Sequence, residues 1–236
     1  MNRLFESLIN LLFPPKCPFC GKILDTVGIC PKCEKALPWI PEEQILITEG
    51  ELTCAAPLRY EGAVRETLLR LKFRGGSALA EPLGEVLARC AAEQFAGEFD
   101  VVTWVPVSRK RLKKRGYDQS RLLAEAACRQ WGTKPVQLLK KVQDNPAQSG
   151  LQGNAARRAN VLGVYDPAEP TLIRGRRVLL IDDIHTTGAT LAECVRVLRE
   201  NGAASVLCLT AARTPDGKKK AKNSQTASCN QGKAQV

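Results

Sequence analysis

From about residue 55 onward the chain alternates short, continuously apolar runs with longer amphipathic ones. Glu61–Phe73 places Val64, Leu68 and Leu71 on one face of a helix that Gly75-Gly76 ends. A second helix is predicted from Ala80 to about Phe95. The run DVVTWVPV (100–107) is rich in β-branched residues and uninterrupted, the pattern of a strand buried on both faces. Helical spacing returns over Tyr117–Trp131, with Leu122, Leu123, Ala126 and Ala127 inward. RRVLLIDD (176–183) is a stronger buried strand, Thr190–Glu200 a helix closed by Asn201-Gly202, and SVLCLTAA (205–212) a further strand. This alternation predicts an α/β fold, a parallel sheet with helices on both faces.

Upstream, Leu4, Phe5, Leu8, Ile9, Leu11 and Leu12 fit one face of a short helix that docks on the body. A cysteine-rich module and a Pro/Glu-rich connector, LPWIPEEQ, follow, and the tail from Thr214 has almost no apolar content. The expected layout is therefore an N-terminal helix and cysteine module (1–38), a linker (39–55), an α/β domain (56–213) and a disordered basic tail (214–236). At 236 residues, 44% hydrophobic and 25% charged, the chain is ordinary globular material, which excludes wholesale disorder. No apolar run approaches the roughly 20 residues that cross a bilayer. Glu6 and Asn10 interrupt any would-be signal sequence, and Pro14-Pro15 stand where small cleavage-site residues belong. The expected location is the cytoplasm. In that reducing compartment clustered cysteines point to metal binding or catalysis rather than to disulfides.

The net charge of +11 divides into +2 over residues 1–33, +5 over 34–213 and +4 in the tail. Within the central segment Arg109, Lys110, Arg111, Lys113, Lys114 and Arg115 put six cations into seven residues, and without them the segment is about neutral. Such a run serves as a solvated face, a pyrophosphate site or a nucleic-acid patch, and the last two are compatible. Beside it Tyr117 packs at a helix start or stacks a base. Lys72 and Arg74, at a helix end, suit the helix dipole. His185, the only histidine, is expected in an exposed loop, and no general base is evident.

Cys17-x2-Cys20 and Cys30-x2-Cys33 form a pair of knuckles, each able to offer two sulfurs to one tetrahedral ion. A closed four-thiolate set is structural Zn2+, and so few residues take their folding energy from the metal. Cys90, Cys128, Cys194 and Cys208 fall in helix or strand patterns and read as core.

The stretch VLLIDDIHTTGATL (178–191) carries the most chemistry. An apolar strand ends in Asp182 and Asp183, and a loop of small and hydroxyl residues (Thr186, Thr187, Gly188, Ala189, Thr190) then opens a helix. Loop N–H groups and the positive end of that helix make an anion site. Acids at the carboxyl end of a strand, beside a phosphate site, suit sugar hydroxyls, directly or through Mg2+. A Walker loop is excluded, because its lysine is absent.

The stretch resembles the phosphoribosyl pyrophosphate (PRPP) motif of type I phosphoribosyltransferases. Three further features resemble the ComF family of competence-associated proteins: VPVSRKRLKKRGYDQS (105–120), the series Gln148, Leu151, Arg157 and Asn160, and the four-cysteine module. That resemblance runs from Leu11 to Ala212 and implies a type I phosphoribosyltransferase fold behind a zinc module. It implies PRPP binding with Mg2+ and transfer of a phosphoribosyl group to an unidentified acceptor, in association with uptake or processing of single-stranded DNA. The alternative is a non-catalytic PRPP-sensing or single-stranded-DNA-binding module that works with competence-machinery proteins. Asp182 and Asp183 would be catalytic, Thr186–Thr190 would hold the 5′-phosphate, and Arg109 and its neighbours the pyrophosphate. Gln148, Arg157 and Asn160 would belong to a mobile loop that closes over the site. Asp118 departs from the family's usual Asn, which bears on any role there that needs an amide donor.

Overall fold

The computed structural model describes residues 14–73, 76–144 and 162–215. The N-terminal apolar helix, Arg74 and Gly75, the candidate loop residues Gln148, Arg157 and Asn160, and the tail from residue 216 lie outside the described residues.

After the first cysteine knuckle come α1 (Pro31–Ala36), α2 (Glu42–Ile45), β1 (Leu46–Glu49), β2 (Leu52–Ala55), β3 (Leu58–Arg59), α3 (Gly62–Phe73) and α4 (Ala80–Gln94). Then follow β4 (Val101–Trp104), α5 (Arg109–Arg115), α6 (Gln119–Gln130), β5 (Leu139–Lys141), β6 (Tyr165–Pro167), β7 (Arg177–His185), α7 (Ala189–Glu200) and β8 (Ser205–Arg213). The main sheet has the order β1-β2-β8-β7-β4, with β3 continuing beside β8. Only β1 runs antiparallel, so the α/β reading of the sequence holds. β5 and β6 pair separately as a small antiparallel ribbon.

β7 lies between β4 and β8, and its pleat divides the core. Leu179 and Ile181 face a layer built by α3, α4 and α6, whereas Val178 and Leu180 face Leu191, Cys194 and Leu198 of α7. α4 and α6 meet at Gly84, where a Cβ atom would lie 2.3 Å from Ala126 Cβ, so the contact requires glycine. Cys90, Cys128, Cys194 and Cys208 are buried in these layers, and burial raises each thiol pKa.

Two segments differ from expectation. Residues 39–55, expected as a linker, carry α2 and the β1–β2 hairpin, and β2 joins the sheet beside β8. The two-residue turn Gly50-Glu51 and the burial of Leu52, Cys54 and Ala55 explain why these residues pair. The six-cation run, to which the sequence pattern assigned no helix, is the helix α5. Ser108 Oγ accepts from Arg111 N at its start and Gly116 closes it, so the caps outweigh like-charge repulsion.

Candidate functional site

The Sγ atoms of Cys17, Cys20, Cys30 and Cys33 all lie within 4.8 Å of one another. Four sulfurs about 2.3 Å from one zinc ion would stand about 3.8 Å apart, and Cys20 Sγ and Cys30 Sγ are 3.6 Å apart. Burial pushes the Cys33 thiol up. Burial opposes ionisation of Cys17 as well, but backbone N–H donors bring it down to about 6. Four thiolates this close together, two of them buried, ionise fully only around a cation, so the residues fit a closed structural zinc site. The module rests on the sheet domain through Phe19, Ile29 and Trp39.

At the carboxyl ends of β4 and β7 a cavity of about 810 Å3 opens between the two helical layers. Asp182 and Asp183 form its floor, both nearly inaccessible. Asp182 Oδ1 accepts from Ser120 Oγ and from Asp183 N, each at 2.8 Å. Burial, then the neighbouring Asp183, raises the Asp182 pKa to about 7. Asp183 Oδ2 faces Lys72 Nζ at 2.7 Å, off hydrogen-bond alignment, so the contact is an ion pair. Burial works against the Lys72 ammonium, but Asp183 and then Asp182 outweigh it and raise its pKa. Lys72 thus neutralises the acid pair, a role that its position at a helix end did not reveal.

Beyond β7 the chain turns through Thr186 and Thr187 into α7. Gly188 makes the turn at φ 71°, and a Cβ there would come within 3.0 Å of both His185 Nε2 and Leu52 Cδ2. The N-cap residue Gly188 has no side chain to cap α7, whose N-terminal end points at the cavity rim formed by Ala189 and Thr190. Thr186, Gly188, Ala189 and Thr190 line the cavity. Thr187 Oγ1 is buried without a hydrogen-bond partner among the described residues. His185, expected in an exposed loop, is instead the buried last residue of β7 and supports this turn from beneath.

Cations form the opposite wall. Arg111, Lys114 and Arg115 of α5 line the cavity, whereas Arg109, Lys110 and Lys113 are exposed and do not. Arg115 stacks 4.8 Å over the exposed Phe73 ring, and Tyr117 Oη donates to Leu71 O at 2.5 Å, so Tyr117 packs while also lining the cavity. Asp118 caps α6 as an acceptor only, from Val107 N, Ser120 N and Arg121 N, and a carboxylate serves that role without an amide donor. Lys141 completes the wall, 5.1 Å over the Tyr165 ring, with its pKa lowered to about 8 by burial and then by Arg111. Its only sequence cue is its place in β5, and the sequence reading missed it.

Residues 116–235 match the phosphoribosyl transferase domain family, and residues 8–45 match the double zinc ribbon domain. The first match spans half the chain, which belongs to the phosphoribosyl transferase domain family and carries a zinc ribbon ahead of it. Its relatives are competence and DNA utilization proteins, in agreement with the resemblance read from the motifs. It is 28% identical over 199 residues to competence protein ComFC of Bacillus subtilis, covering 84% of this chain and 78% of that one. To DNA utilization protein YhgH of Escherichia coli K12 it is 28% identical over 211 residues, covering 84% of each chain. To ComFC of Streptococcus pneumoniae it is 28% identical over 209 residues, covering 86% and 90%. Its overlay on glutamine PRPP amidotransferase from B. subtilis is loose, with a TM-score of 0.38, 24% identity, and coverage of 61% and 30%.

Proposed function

We propose that the cavity binds PRPP with Mg2+ and that the chain transfers its phosphoribosyl group to an acceptor. The observation that carries this reading is a convergence of charge at one end of the sheet. Two buried carboxylates lie between the N-terminal end of α7, with its glycine N-cap, and a wall of cations that includes Lys72, Arg111, Lys114, Arg115 and Lys141. A sugar bearing a phosphate and a pyrophosphate needs hydroxyl acceptors, phosphate donors and a cationic pyrophosphate subsite together.

In this reading Asp182 and Asp183 take the ribose hydroxyls and hold the metal. Adjacent buried carboxylates suit a divalent cation, which would share Asp183 with the Lys72 ammonium. Backbone N–H groups and hydroxyls of Thr186–Thr190 hold the 5′-phosphate. Arg111, Lys114 and Arg115 hold the pyrophosphate, while Arg109, exposed at the start of α5, joins Lys110 and Lys113 in meeting anions from solvent. Bound Mg2+ supplies charge neutralisation on the pyrophosphate. As the C1′–O bond breaks, its electrons leave with pyrophosphate, and the cationic wall stabilises that charge more than it stabilises the bound substrate.

The competence and DNA utilization relatives favour a DNA-related role, which we place in the cytoplasm as handling of imported single-stranded DNA. Among the described residues no helix is long and apolar enough to cross a membrane. One observation favours a second, compatible reading, a single-stranded-DNA module: Arg109, Lys110 and Lys113 face away from the cavity, and Phe73 is 63% exposed beside Arg115.

Pyrophosphate release from PRPP, screened over purine and pyrimidine bases with and without single-stranded DNA, tests transfer. Acceptor-dependent release that Asp183→Asn abolishes supports it. PRPP binding with no release for any acceptor reduces the function to sensing.

A further inference from the structure

The last turns of α3 are held from the zinc module on one side and from the acid pair on the other. Thr67, fully buried, donates Oγ1–H to the Pro18 carbonyl at 3.0 Å. Arg70 Nη2 donates to the same oxygen and to Thr67 Oγ1, the latter at 3.2 Å. Pro18 lies inside the first knuckle, between Cys17 and Cys20, and Gly21 N closes that knuckle on Cys17 O at 2.9 Å. Two residues beyond Arg70, Lys72 reaches Asp183.

We propose that the zinc knuckle is a positioning element of the acid pair: by gripping Thr67 and Arg70 through the Pro18 carbonyl it fixes α3 so that Lys72 falls on Asp183. Thr67 and Arg70 are the positioning residues.

Backbone bonds from Ile40 N to Pro57 O at 2.8 Å and from Arg59 N to Pro38 O at 2.9 Å tie the module's exit to β3 and not to α3. The remaining links between module and domain carry little direction. The Arg89–Glu34 bridge, at 3.1 Å, is largely exposed and screened by solvent. Phe19, Ile29 and Trp39 supply apolar contact, which favours proximity without fixing rotation. A buried carbonyl receiving two donors from one helix turn does fix rotation, because sliding or turning the helix leaves it unpaired. Thr67 and Arg70 share one face of the helix, and Lys72 projects roughly a third of a turn or more away. Holding that face therefore sets where the ammonium points. The Pro18 carbonyl is itself held by the ligand knuckle, which is stiff when four sulfurs share one ion. Zinc occupancy and the geometry over Asp183 are thus linked, and by reciprocity a ligand that uses Asp183 tightens the hold on zinc.

The test is lysine reactivity in the full-length, zinc-loaded chain: reductive methylation followed by peptide mass mapping, with the exposed Lys140 as internal reference. The variants are Thr67→Val, Arg70→Met, their combination, and Thr67→Ser, which keeps the hydroxyl. Zinc content is measured for each. With zinc retained, methylation of Lys72 is expected to rise several-fold in the double variant, less in Thr67→Val, and not at all in Thr67→Ser, while Lys140 stays constant. If the double variant loses zinc, Thr67→Val carries the comparison, because Arg70 still holds Pro18. Unchanged Lys72 reactivity in the zinc-retaining double variant, or in zinc-retaining Thr67→Val where the double variant loses the metal, overturns the proposal. The PRPP reading is a separate matter: if Lys72 responds as expected but no variant binds PRPP, the ligand assignment fails and the coupling stands.

Discussion

Asp182, Asp183 and Lys72 meet in the cavity, and only the two acids stood out in the sequence. They sit inside a contiguous strand–loop–helix pattern, whereas Lys72 acquires its role from a partner far along the chain. Removing either member of the ion pair leaves the other charge in a poorly solvated place. Lys72→Met is therefore expected to destabilise the chain by ~1–3 kcal/mol, less than a fully buried pair would cost, because Lys72 keeps 23% side-chain exposure; urea denaturation reads this directly. Asp182 has a pKa raised to about 7 by burial and then by Asp183. Between about pH 4 and 7 the folded chain keeps a proton that the unfolded chain has lost, so stability falls as pH rises through that window. Thermal melts from pH 5 to 7.5 are expected to show this fall, and Asp182→Asn to flatten it. His185 and Asp118 were misjudged or left open for one reason: burial and backbone partners are properties of the folded neighbourhood.

Elements with clear apolar periodicity, α3, α4, α6, β7 and α7, emerge close to where the sequence predicts them. Those that differ have weak periodicity of their own. α5 has seven residues, six of them cationic, and it exists because Ser108 and Gly116 cap it. β1 and β2 follow a Pro/Glu-rich stretch that reads as a connector, yet Leu52 and Cys54 bury against the sheet. The α4–α6 crossing gives a sharper test at this scale. Gly84→Val forces side-chain atoms into Ala126, which already sits 2.3 Å from where a Cβ would stand. The expected cost is ~1–3 kcal/mol of overpacking, read as a lower urea midpoint. Nothing in the sequence singles out Gly84, because a glycine within a helix pattern carries no mark of what crosses it.

For the molecule as a whole, a net charge of +11 describes it poorly. Four thiolates around one Zn2+ carry −2, the tail carries +4, and the cations that matter for the cavity come from α3, α5 and β5. Chelating the zinc is expected to unfold the knuckle and lower the melting temperature, with recovery on adding Zn2+ back. The family, the fold and the zinc site were legible because each rests on a local motif. The cationic wall was not, because the sheet topology assembles it from three separate segments. The central claim is that this wall and the acid pair make one PRPP site. Titration calorimetry of PRPP with Mg2+ against wild type and Asp183→Asn, backed by thermal shift, tests it most directly. Saturable binding is expected for wild type, with about 2.7 kcal/mol of stabilisation at a hundredfold excess over Kd, and binding in Asp183→Asn weakened at least tenfold. No heat and no thermal shift in wild type, or equal binding by Asp183→Asn, would contradict it.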